Sequence, residues 1–285
     1  MTFYLGCPMW GLKTWVGAFF PAGAKQREFL SLYSRRLNTV EGNTTFYAVP
    51  SLEIVARWRD ETPPGFMFCF KFPQTITHYR RLLNAQAETR KFLQCLETLG
   101  DRGGPAFLQL PPNFAGHNLP ALIAYLDDLP RDFRYAVEVR HLDFFNSPAE
   151  TALDQALAER QIARVLIDVR GLRSAEPTDE TTRLSQERKP DVPVRYARTA
   201  PFAFVRFIGH PALSANAELF EDWAGRTADW LKADDDVFFF LHNSDDTNSP
   251  RLAREFHARL ARRSPLPPLP AWPADATAPQ QPALF

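Results

Sequence analysis

Glu41 ends the β-prone run Leu37-Asn38-Thr39-Val40, and Asn43, Thr44, Thr45, Phe46 and Tyr47 follow after one glycine. A carboxylate at the end of a buried run is costly unless it meets solvent, a partner or a ligand. The same grammar recurs along the chain. Apolar runs lead into Lys71, Gln109, Glu138 with Arg140, Asp168, Arg206, and His242 with Asn243. Glu41 and Glu138 are the types that donate and accept protons in catalysis. Lys71 would be a Schiff-base amine if it were desolvated. Arg206, Lys71 and Arg140 suit an anion, because guanidinium forks match phosphate or carboxylate. Trp10 and Tyr47, with Trp15 and Phe46, offer flat faces for a base or sugar ring. Each residue also has a plainer reading. Glu138 would pair with a neighbouring cation, Lys71 with Glu41, and the aromatics would simply pack.

Glu41, Glu138, Asp168 and His242 are suitable ligand types for Mg2+, Mn2+ or Zn2+, so a divalent metal is an open alternative. No HxH, HExxH or clustered Cys/His spacing supports it. A paired-carboxylate glycosidase needs two acids facing one bond. The barrel positions where such acids commonly stand read Gln109 and Arg206 here. No GxSxG, P-loop or dinucleotide fingerprint occurs.

These residues need elements to position them. The apolar runs are Phe3–Cys7, a run ending at Glu41, Phe66–Lys71, Ala106–Leu110, Tyr135–Arg140, Ala163–Asp168, Phe202–Phe207 and Val237–His242. Helical periodicity or a long crossover separates them. Continuous apolarity suits parallel strands covered on both faces. Eight such units in about 260 residues favour a single closed (β/α)8 TIM-type barrel over a doubly wound sheet. In that fold the strand C-termini form the active face, and strands seven and eight make its usual phosphate corner. Arg206 and Asn243 fall there. From about residue 170 to 199 the sequence is polar and poorly periodic, the signature of a mobile lid or a decorated loop. Residues 1–263 therefore read as one barrel domain. Residues 264–285 read as a flexible Pro/Ala-rich tail.

The chain is 45% hydrophobic, and its 33 basic residues balance its 33 acidic ones. Neutrality argues against a non-specific nucleic-acid binder. Three scattered cysteines, with no CxxC, suggest a reducing cytosol. No segment approaches the ~20 apolar residues of a membrane span, so a cytoplasmic protein without a membrane partner is expected.

Several motifs in combination resemble the YecE-like family, a domain of unknown function. They are Gly6-Cys7-Pro8-Met9-Trp10, Trp15-Val16-Gly17 with Phe20-Pro21, and Thr39-Val40-Glu41-Gly42-Asn43-Thr44-Thr45-Phe46-Tyr47. Pro63-Pro64-Gly65-Phe66 with Phe70-Lys71, Gln109-Leu110-Pro111-Pro112, Val137-Glu138-Val139-Arg140-His141 and Val205-Arg206 complete the set. The resemblance runs from the N-terminus to about Asp246. It implies a TIM-type barrel in a bacterial or archaeal cytosol and no established activity. The chain departs from the family pattern at Pro8-Met9-Trp10, where Ser-Gly-Trp is usual, and at His242-Asn243, where Asn-Asn is usual.

The end of the chain, Gln281-Pro282-Ala283-Leu284-Phe285, resembles the Gln-x-x-Leu-Phe peptide that docks on the bacterial DNA sliding clamp. Such a peptide needs a flexible tether. The leading expectation is a mouth that binds a phosphate-bearing ligand through Arg206, Lys71 and Asn243. Trp10, Asn43, Tyr47, Gln109, Arg140 and Asp168 complete its walls, and Glu41 and Glu138 perform hydrolysis, on a nucleic-acid substrate if the clamp reading holds. The alternatives are a non-catalytic ligand-binding or adaptor protein, docking through Gln281, Leu284 and Phe285, and a sugar-phosphate isomerase or lyase.

Overall fold

The computed structural model describes residues 1–273. The clamp-like residues Gln281, Leu284 and Phe285 lie outside the described residues. Eight parallel strands alternate with helices: β1 (Phe3–Cys7), β2 (Thr39–Gly42), β3 (Met67–Phe70), β4 (Ala106–Gln109), β5 (Tyr135–Glu138), β6 (Ala163–Asp168), β7 (Phe202–Ile208) and β8 (Asp236–His242). Their order is β3-β2-β1-β8-β7-β6-β5-β4. The wall is a (β/α)8 TIM-type barrel, closed except for a seam. β3 and β4 meet through isolated bridges, Phe68 with Gly103 and Lys71 with Phe107, in place of a ladder. Backbone bonds from Gly104 N to Phe68 O (3.0 Å) and from Phe72 N to Phe107 O (2.9 Å) cross this seam.

The helices cover the outside because their apolar residues recur at helical spacing. In Gln86–Leu99, Phe92, Leu93, Cys95, Leu96 and Leu99 turn inward and are buried. Pro148 starts the helix Pro148–Glu159 behind Ser147, whose hydroxyl accepts from Ala149 N. Inside the barrel, a separate cluster fills the lower half: Tyr4, Cys69, Phe107, Phe204, Phe238 and Phe240 among others. Tyr4 stacks on Phe238 at 4.4 Å, and Phe204 meets Phe240 at 5.0 Å. Gly6 allows close strand packing here. A Cβ on it would stand 2.3 Å from the Thr39 carbonyl oxygen.

The β6–β7 crossover is built. It holds the short helix Arg170–Arg173, the helix Glu180–Arg188 and an extended return to β7. Asp179 caps the second helix by accepting from Thr182 N at 2.8 Å. The crossover is therefore a decorated loop with its own capped helix. After Ser264 the chain runs extended beneath the barrel. It then turns up the outside, where Trp272 is buried beside Trp15 and Pro250 and packs edge-on to Phe19 at 4.9 Å. No helix among the described residues is long and apolar enough to cross a membrane.

Candidate functional site at the barrel mouth

Side-chain alternation decides which strand ends meet. Partners in parallel register share a face, and each step of one residue changes it. Glu41 is in register with Cys69, and Arg206 with Phe240. Cys69 and Phe240 belong to the interior cluster, so Glu41 and Arg206 face inward above them. Lys71 and His242 come two residues further and face inward too. Gln109 and Glu138 are in register with each other. Asp168 is in register with Phe207, which belongs to the outer layer.

The inward residues form a buried network centred on Arg206. Its Nε and Nη2 donate to Glu41 Oε2 and Oε1 at 2.7 and 2.8 Å, and its Nη1 donates to Glu138 Oε2. Both glutamates are fully buried. Burial pushes the Glu41 carboxyl up, but Arg206 and then His242 outweigh it and hold it well below the usual range. Burial likewise raises Glu138, and Arg206, Arg140 and Lys71 together bring it down to about 2. Both acids are therefore ionised at neutral pH. Asn43 Nδ2 donates to Glu41 Oε1 at 2.8 Å, and Arg140 Nε donates to Glu138 Oε1 at 2.6 Å. His242 Nε2 stands 3.1 Å from Glu41 Oε2. A carboxylate only accepts, so Nε2 carries the hydrogen and Nδ1 is the basic nitrogen. Burial lowers the His242 pKa against the pull of Glu41, which keeps the ring neutral.

Above this layer opens a cavity of about 570 Å³. Lys71, Arg140, Arg188, Lys189, His242 and Asn243 are in its wall. Lys71 donates to Gln109 Oε1 at 3.0 Å and lies 3.8 Å from the Phe46 ring centre. Burial lowers it to about 7, helped by Arg206, with Glu138 opposing. Burial also lowers Lys189, to about 8. Among the described residues, none of Lys71, Arg188 and Lys189 has a carboxylate within 4 Å, whereas Arg140 and Arg206 are paired. Asn243 Nδ2 is buried and meets no acceptor. A second cavity, about 440 Å³, lies at the opposite end under Leu266 and Leu269. Its wall is mostly apolar and holds none of these groups, so the mouth is the candidate.

The structure thus brings Glu41, Asn43, Lys71, Gln109, Glu138, Arg140, Arg206, His242 and Asn243 together, with Tyr47 on the rim, 73% exposed. Trp10 and Asp168 do not join them. Trp10 packs behind the wall, edge-on to Trp58 at 5.1 Å and to Phe68. Asp168 points into the helix layer, where Trp223 Nε1 (2.7 Å) and Arg170 Nη2 (2.7 Å) donate to it. The Asp168 correction follows from the pleat, since Asp168 stands one residue past the inward position of β6, whereas Trp10 lies in the loop beyond β1, where its ring packs on other rings. Arg206 is also corrected in part. It lines the cavity, but the two carboxylates take three of its five N–H groups. Of the four metal-ligand candidates, Glu41 and His242 meet at 3.1 Å, Glu138 stands across Arg206 from them, and Asp168 lies elsewhere. No three of His, Cys, Asp and Glu cluster among the described residues. The Arg206 guanidinium stands between Glu41 and Glu138, where a shared cation would have to sit.

Comparison with known proteins places this arrangement. A family described as "Protein of unknown function DUF72" matches residues 4–276. The chain belongs to the DUF72 family. The UPF0759 protein YecE of Escherichia coli (strain K12) is 40% identical over 283 residues, 99% of either chain. A DUF72 family protein of Thermotoga maritima MSB8 superposes with a TM-score of 0.70 at 21% identity, over 92% of this chain and 100% of that one. Another from Enterococcus faecalis V583 gives 0.67 at 20% identity, over 91% and 97%. These likenesses establish the DUF72 barrel fold, and the resemblance to the YecE-like family holds across the whole chain.

Arg188 and Lys189 are absent from the strand-end reading of this DUF72 chain because they arrive on the crossover. A signal for them exists. Asp179-x-x-Thr182 is an N-cap pattern, and Thr181, Ser185 and Arg188 then recur at helical spacing along the cavity side.

Proposed function

We propose that the barrel mouth binds a small phosphate-bearing molecule and that His242, backed by Glu41, moves a proton on it. One observation carries the reading. Among the described residues, Lys71, Arg188 and Lys189 have no carboxylate within 4 Å and the amide of Asn243 meets no acceptor, and all four wall one cavity, in which Arg140 and Arg206 keep cations in excess of the two rim carboxylates, Asp245 and Asp246. An excess of cations around a concave site favours an anion. The floor supports them, because Glu41 and Glu138 are spent on Arg206 and Arg140. Those two acids are ionised and bonded, so neither stands ready as an acid. A neutral imidazole fixed by a carboxylate is a general base. Water activated by it in the cavity would give hydrolysis of the phosphate ester.

Calorimetric titration with glycerol 3-phosphate tests the binding. Saturable binding is expected, weakened about tenfold (about 1.4 kcal/mol) in Lys189→Ala and in Arg188→Ala. Binding that both variants leave unchanged would remove the anion from this cavity. A purely binding role is separated from catalysis by following release of inorganic phosphate with wild type and His242→Gln.

A further inference from the structure

Among the groups at the mouth, Lys71 is not explained by holding an anion alone. It is 6% exposed, yet its amine reaches the cavity. Its hydrogen-bond partner is a neutral amide oxygen, Gln109 Oε1, and the face of Phe46 covers it. A buried ammonium normally has a carboxylate. Here the two carboxylates nearby are bound to Arg206 and Arg140 instead. Gln109 Oε1 also accepts from Arg140 Nη2 at 2.5 Å. The amide oxygen therefore keeps a charged donor when Lys71 leaves it, and releasing the amine orphans no acceptor. Lys71 is thus an amine whose charge is disfavoured, whose tether is replaceable and whose head opens on a ligand cavity.

We infer that Lys71 forms an imine with a carbonyl carbon of the ligand, which makes the ligand an aldehyde or ketone that carries the phosphate. The phosphate half of this statement rests on the function proposed above; the imine half stands on the surroundings of Lys71. The Nζ lone pair forms a bond to the carbonyl carbon, and the carbonyl oxygen takes up a proton. The resulting carbinolamine loses its hydroxyl as water, and the C=N bond forms as Nζ gives up protons. No oxidant or reductant is consumed. The low dielectric and the positive neighbours Arg206 and Arg140 supply the free amine, since they bring Lys71 to about 7. Lys189 is the internal comparison. It lines the same cavity at about 8 but belongs to the crossover, without the ring or the amide beside it.

The test needs only the full-length wild-type chain. It is incubated at pH 7 with glyceraldehyde 3-phosphate or with unphosphorylated glyceraldehyde, reduced with sodium borohydride, and mapped by peptide mass spectrometry. Reduction turns an imine into a stable secondary amine. At pH 7 the free-amine fraction of Lys71 exceeds that of an ordinary lysine by on the order of a thousand-fold. Labelling at Lys71 is expected to exceed that at Lys25, Lys91 and Lys232 by about a hundredfold, because a less basic amine is a weaker nucleophile. Its rate should rise with a midpoint near pH 7. Lys71→Met should lose the adduct while Lys189→Met keeps it. Labelling spread evenly over surface lysines, or none at Lys71 with either compound, overturns the imine. Equal labelling by both compounds keeps the imine and removes the phosphate from the ligand.

Discussion

The two halves of the barrel interior are built from the same strands and opposite materials. Below, Tyr4, Phe107, Phe202, Phe204, Phe238 and Phe240 fill the space with rings. Two residues above Cys69, Phe107, Ala136, Phe204 and Phe240 stand Lys71, Gln109, Glu138, Arg206 and His242, with Glu41 among them. Arg206 lies over the Phe107 ring at 5.4 Å, so the contrast is a direct contact. The lower half excludes water and stabilises the fold by burial of roughly 2–3 kcal/mol per aromatic side chain. The upper half gains little net stability from its ions, because desolvation offsets most of their attraction. A fold does not need a charged upper layer. Its presence over an apolar floor is what the proposed function accounts for.

The contrast can be broken most sharply at Arg206. Arg206→Leu leaves Glu41 and Glu138 buried without their shared cation, and about 3–5 kcal/mol of stability should be lost in urea denaturation. In the lower half, Phe204→Leu keeps an apolar filling and should cost about 1–2 kcal/mol by the same measurement. Equal losses would mean that the two halves are energetically alike.

Acidity separates the halves further, since burial holds Tyr4 and Cys69 of the lower half above their ordinary values, and below pH 10 the titrating groups are those of the upper half. The folded Glu138 carboxyl lies at about 2 against an ordinary 4.5. Its contribution is full above 4.5 and is lost as the pH falls towards 2. Lys71 has the opposite profile. Its folded value of about 7 lies below the ordinary 10.5, so between those values the unfolded chain binds more protons and stability rises with pH. Lys71→Met should flatten that alkaline rise in a series of urea melts from pH 7 to 10. A slope unchanged by the substitution would assign it elsewhere. The smallest stability effect belongs to the crossover. Lys189→Ala should change the melting free energy by no more than about 0.5 kcal/mol while weakening phosphate binding.

The strands were legible because each is a short apolar run that stops at a polar residue. β1 and β6 have the bounds expected from the sequence, and β3 and β5 differ from theirs only at their ends. The site was less legible for two physical reasons. Strands covered on both faces carry no alternation, so nothing in Val165-Leu166-Ile167-Asp168 marks Asp168 as facing outward. Its partner Trp223 is 55 residues away. The charge pairing was hidden as well. Arg206 and Glu41 are separated by 165 residues, and no local pattern tells a cation aimed at ligand from one already taken. The cations that do face the cavity from the crossover were obscured by its polarity, although its cap was written in Asp179 and Thr182.

The gap between β3 and β4 has a mechanical consequence. A hoop fastened all round shares any load, while a hoop with one weak joint bends there. At the top of this joint, the bond from Lys71 to Gln109 acts as a clasp between its two sides. A guest that captured the lysine's nitrogen would undo that one tie and leave the backbone bond from Phe72 to Phe107 holding the joint, so any give in the rim would fall beside β3 and β4.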